Sequence, residues 1–135
     1  MAPVLVVYAP SARGDASLRE AVRAGRPVTV VALAPEERPR RACCGIQSGY
    51  WNDVQRELAE SELARARMAV EGADDVTLSV LPFDAARPER AIAQLARALG
   101  ARHVVLADAR ASVLGRRALR RLRGLCSAPV VDGAV

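Results

Sequence analysis

The chain has 135 residues, 51% of them apolar, with one Phe, two Tyr and one Trp, which fits a single domain with an aliphatic core and excludes aromatic platforms for single-stranded nucleic acid. All 20 basic residues are Arg and the formal net charge is +5; with no Lys, a Walker phosphate loop is excluded. Charge is polarised: residues 87–123 carry ten Arg against Glu89 and Asp108, whereas residues 53–84 carry eight acids against Arg56, Arg65 and Arg67. Such polarity can steer an anionic ligand or orient a partner subunit, and equally fits two solvated helix faces of opposite sign.

In chain order, Pro3–Tyr8 is the first of five β-branched apolar runs. It is far too short to cross a bilayer and has no basic region ahead of it, so neither a membrane span nor a signal peptide is expected. The turn after it, A-P-S-A-R-G, has one glycine where a dinucleotide fingerprint needs three. It also lacks the acidic residues of a phospho-receiver domain. Asp15 or Ser17 can cap a first helix with Leu18, Ala21 and Val22 facing inward and Gly25 as its stop.

Pro27–Leu33 is the second strand. Ala34–Gly49 has no clear periodicity and reads as a long loop: a lid, a partner surface or a merely mobile segment. It holds Cys43 and Cys44 beside Arg38, Arg40 and Arg41, whose charges favour the reactive thiolate; the pair is a redox candidate, against the alternative of two small residues tucked under a loop. Three cysteines without an export signal argue against a disulfide framework and point to a reducing cytoplasm. No Cys/His cluster has metal spacing. Ser48 or Asn52 opens a second helix with a stripe of Trp51, Val54, Leu58, Leu63, Ala66 and Val70, ended by Gly72.

Val76–Leu81 is the third strand. Pro88 suits the first turn of a third helix with Ile92, Leu95, Ala96 and Leu99 inward and Gly100 closing it. His103–Ala107 is the fourth strand; His103, the sole histidine, stands at its start, away from the expected ligand site, and reads as a strand-edge residue. No catalytic residue is assigned. Ser112 is the natural cap of a fourth helix, with Gly115, Ala118, Leu119, Leu122 and Leu125 on one side and Arg116, Arg117, Arg120, Arg121 and Arg123 on the other. That helix has no nucleic-acid-binding motif around it, so nucleic acid is not an expected partner. Pro129–Val131 is the last strand.

Continuously apolar strands alternating with helices predict an α/β fold: one doubly wound, five-stranded parallel sheet covered on both faces, in the order 3-2-1-4-5. The switch point lies between strands 1 and 4, and ligands in such sheets sit beyond the strands' carboxyl ends there. Ser11, Arg110 and Ser112 are expected to converge at that place with the amino end of the fourth helix, a candidate site for phosphate or another small anion. The alternative is that Ser112 is only a cap and Arg110 a solvated loop residue.

The whole chain resembles the universal stress protein family, of the adenine nucleotide alpha hydrolase-like fold. P-V-L-V-V-Y-A-P-S (residues 3–11) is similar to the family's first strand and turn, A-L-G-A-R-H-V-V-L-A-D (98–108) to its third helix and fourth strand, and C-S-A-P-V-V (126–131) to its closing strand. Residues 51–67 are similar to the long second helix of a small actinobacterial branch. ATP-binding members carry G-2x-G-9x-G and then Ser or Thr after strand 4. Here Ala107 and Arg110 take the first two glycine positions, the third falls among Arg116, Arg117 and Arg120, and Ala9 replaces an Asp of the first turn.

The resemblance therefore implies a non-catalytic, cytoplasmic stress-response or regulatory protein with a degenerate nucleotide pocket at Ala9, Ala107 and Arg110, not binding ATP in the usual way. No cofactor is required, though a nucleotide or other small anion could bind. It also implies a homodimer through the last strand, at Val130 and Val131, which would cover an exposed apolar edge. The alternatives are a nucleotide switch using Arg110 and Ser112, and a thiol sensor using Cys43 and Cys44.

Overall fold

The computed structural model describes residues 1–37, 45–112 and 114–133, and only the backbone of residues 45–48. Within these, strands and helices alternate: β1 (Val4–Val7), α1 (Ala12–Arg23), β2 (Val28–Glu36), α2 (Gly45–Ala69), β3 (Val76–Asp84), α3 (Pro88–Leu99), β4 (His103–Leu106), α4 (Arg116–Leu125) and β5 (Val130–Asp132). The strands form one all-parallel sheet in the order β3-β2-β1-β4-β5. This is the predicted α/β architecture, with the predicted switch point.

Central β1 is buried on both faces because its side chains alternate between two cores. Val4, Val6 and Tyr8 pack with Leu18 of α1 and Ala66 of α2, whereas Leu5 and Val7 pack with Ile92 and Ala96 of α3 and Ala118 and Leu122 of α4. Each fully buried aliphatic side chain contributes about 2 kcal/mol, against at most about 1 kcal/mol for an exposed ion pair. The cores, rather than the arginine-rich surface, hold the layers together.

Several boundaries differ from those read in the sequence. Ala34, Pro35 and Glu36 belong to β2, which runs on beside β3 as far as the Glu36–Asp84 register. Beyond Val31, β2 no longer has β1 beside it, so Pro35 falls where a strand has lost one neighbour and proline is tolerated. Small Ala32 and Ala34 let Ala59 and Leu63 of α2 pack close against this extension. Both ends of the expected Ala34–Gly49 loop thus belong to β2 and α2; residues 38–44, Cys43 and Cys44 among them, lie outside the described residues.

Helix α2 starts at Gly45, so Ser48 and Asn52 are both interior and neither opens it. The Asn52 side-chain amide instead bridges back to Glu37, accepting from the backbone N–H at 2.9 Å and donating to the carbonyl at 3.2 Å. The buried stripe is Ala59, Leu63 and Ala66, while Leu58 is 53% exposed; the apolar stripe read from the sequence was out of phase at that position. Gly100 ends α3 in the left-handed conformation, φ +59°, as expected.

Candidate functional site

The carboxyl ends of β1, β4 and β5 meet at the switch point. Ser11 follows β1 in extended conformation and caps α1, its Oγ accepting from the N–H of Gly14 at 2.9 Å. This corrects the expected caps, Asp15 and Ser17, which lie inside the helix. The same hydroxyl donates across the crevice to Asp108 Oδ2, just past β4, at 2.7 Å. One serine thus satisfies a helix end and a carboxylate together.

Asp108 is buried and its Oδ1 accepts from the N–H of Arg110 at 3.2 Å. The Ser11 hydrogen bond is the main reason its carboxyl is held below the usual range; burial opposes this, and the backbone N–H groups of Arg110 and Ala111 and the charge of Arg13 reinforce it. Asp132, at the end of β5, accepts from the N–H of Ala109 at 3.2 Å, and its other oxygen lies 4.0 Å from Arg13 Nη2. Gly133 (φ +69°) donates its N–H to the carbonyl of Leu106 at 2.6 Å, and a Cβ there would press on Ser17 Oγ. Two carboxylates and Arg13 therefore stitch three strand ends together.

Of the predicted residues, Ser11 stands at the centre of this cluster, but its described partner is Asp108. Arg110 is exposed and contributes its backbone N–H. Ser112 does not cap α4: the cap is Gly115, and Ser112 Oγ accepts from the N–H of Leu114 at 3.2 Å in a local turn. Ala9 and Ala107, at the positions that the resemblance aligns with the family's aspartate and first glycine respectively, are both buried. The Arg116, Arg117, Arg120, Arg121 and Arg123 side of α4 is exposed, as read.

Asp108, Asp132 and Arg13 are not among the residues the sequence assigns to an anion site, although an acid directly after a buried strand marks a carboxylate at the crevice. A second cluster that the sequence does not signal lies behind β1. Tyr8 OH donates to Asp15 Oδ1, and Arg65 of α2 grips Asp15 Oδ2 with Nε at 3.2 Å and Nη2 at 3.0 Å. Burial first, then Asp15, keeps the Tyr8 hydroxyl protonated far above its ordinary range.

His103 pairs with Val4 at the opposite sheet end, where burial and then Arg102 and Arg26 hold its pKa down. Among the described residues no cluster of His, Cys, Asp and Glu could hold a metal, and no helix is long and apolar enough to cross a membrane.

A five-stranded doubly wound sheet with polar groups gathered at its switch point defines a class of α/β domains whose ligands sit beyond the strand ends. Within that class the fold is universal-stress-protein-like. No protein-family model and no curated protein matches its sequence. Its fold is similar to that of UspA from Lactobacillus plantarum, with a TM-score of 0.76, 14% identity and coverage of 98% of this chain and 97% of that one. A universal stress protein family member from Burkholderia pseudomallei gives 0.63 and 17%, covering 97% and 94%. The universal stress protein of Archaeoglobus fulgidus in complex with dAMP gives 0.59 and 21%, covering 99% and 98%.

Proposed function

We propose that this is a non-catalytic regulatory protein of the universal stress type, acting in the cytoplasm as a homodimer, whose crevice does not take ATP in the usual way. The observation that carries this reading is the 2.7 Å hydrogen bond from Ser11 to Asp108. It sets a carboxylate held anionic at the switch point, and a carboxylate there repels a phosphate chain. Arg110 could offset that charge, but its side chain is exposed and its attraction is screened by water. Ala107 and Arg110 at the glycine positions further restrict close backbone approach to phosphate. The dimer reading is supported by β5, an edge strand with Val131 39% exposed.

The second reading is a nucleotide switch using Arg110 and Ser112, favoured by the dAMP bound to the Archaeoglobus fulgidus protein. Thermal shift with ATP, dAMP and cyclic AMP separates the two. A nucleotide present at a hundred times its Kd adds about 2.7 kcal/mol of stability. An unchanged Tm in all three supports the closed crevice, and a rise with any of them supports the switch.

A further inference from the structure

A cleft of about 580 Å³ that shares no lining residue with the switch-point cluster opens between α3 and α4, lined by Arg87, Glu89, Arg90, Arg121, Gly124 and Leu125. Its volume is in the range of small-molecule sites. Glu89 is the second residue of α3, after Pro88, and its side chain is only 5% exposed. Oε1 lies 3.7 Å from Arg121 Nη1, too far for a hydrogen bond. Oε2 is buried and has no hydrogen-bond partner among the described residues. Buried carboxylate oxygens are ordinarily satisfied, so an orphan in the wall of a cleft is a place for a donor from outside. Glu89 itself lines the cleft, so an adjustment of its side-chain torsions brings a carboxylate oxygen to a bound donor.

Three arginines, Arg87, Arg90 and Arg121, line the cleft with this carboxylate. Among the described residues, Arg87 and Arg90 have no acidic side chain within ion-pair distance. Guanidinium forks suit the tetrahedral, doubly charged phosphate. A bare anion, however, would meet the charge of Glu89. A molecule with a hydroxyl close to its phosphate meets both demands, and Leu125, 48% exposed, offers an apolar surface to its C–H face.

We propose that the α3–α4 cleft binds a small phosphorylated polyol, its phosphate held by Arg87, Arg90 and Arg121 and a hydroxyl donated to Glu89. Isothermal titration of the full chain with glucose 6-phosphate, inorganic phosphate and glucose in separate arms tests this. Glucose 6-phosphate binds at least about tenfold more tightly than inorganic phosphate, and glucose alone gives no heat. Arg87→Ala with Arg90→Ala, both exposed positions, weakens glucose 6-phosphate by about tenfold or more without altering the circular-dichroism spectrum. Glu89→Gln weakens the hydroxyl contact and relieves the repulsion of bare phosphate, so it narrows the gap from both sides. No heat with glucose 6-phosphate, equal affinity for inorganic phosphate, or indifference to the arginine substitutions overturns the proposal.

Discussion

A Cβ added to Gly14 would overlap the carbonyl oxygen of Ala9. The first turn of α1 is thus seated directly on the end of β1, and only glycine permits that approach. The contact brings the Gly14 N–H to Ser11 Oγ, which leaves the serine proton pointing at Asp108. Because the obstacle is backbone rather than a movable side chain, Gly14→Ala must displace the helix. The expected cost is about 3 kcal/mol, read as a lower urea midpoint with unchanged slope. A midpoint equal to wild type would mean that α1 is not seated this way.

Ser11→Ala removes a helix cap, worth about 1 kcal/mol, and the main interaction holding the Asp108 carboxyl low. The carboxyl pKa should climb back toward the ordinary aspartate value, whereas Ser11→Thr should leave it depressed. Carboxyl-detected NMR titration of Asp108 reads this directly.

The cluster of Tyr8, Asp15 and Arg65 makes stability depend on acid. Burial alone would raise the Asp15 pKa, but hydrogen bonds from Tyr8 and Arg65 outweigh it and the carboxyl titrates below its ordinary value. A carboxyl depressed in the folded state adds stability that is fully present above its unfolded pKa, about 3.9, and is lost as pH falls through the folded value. Unfolding free energy should therefore drop below about pH 4, and Asp15→Asn should flatten that drop. An equally steep acid limb in the variant would show that Asp15 is not a source of it.

If β5 joins two copies, a charge on its exposed apolar position should part them. Val131→Arg is expected to sediment as a monomer with an unchanged fold, against a wild-type dimer. A monomeric wild type, or a dimeric variant, would contradict pairing through this edge.

The sheet order was legible because β1 is continuously apolar, β2 and β4 nearly so, and each of the first four strands is followed by a helix. The ends of elements were less so. Pro35 looks like a strand terminator, yet β2 continues past it because only β3 lies alongside. Ser112 looks like a cap, yet α4 begins at Arg116 and the serine spends its oxygen on Leu114. At the site, Ser11 could be placed at the switch point from topology alone. Its pairing with Asp108, 97 positions away, depends on the seating of Gly14 against Ala9, which leaves no periodic trace. The orphan oxygen of Glu89 is likewise visible only once α3 and α4 are packed together.

Calorimetric titration of the 135-residue chain with ATP bears most directly on the proposed exclusion of ATP from the crevice. The expected result is no measurable binding up to about 1 mM, and binding that becomes detectable when the carboxylate is removed in Asp108→Asn. Micromolar affinity in the wild type, abolished by Arg110→Ala, would contradict it.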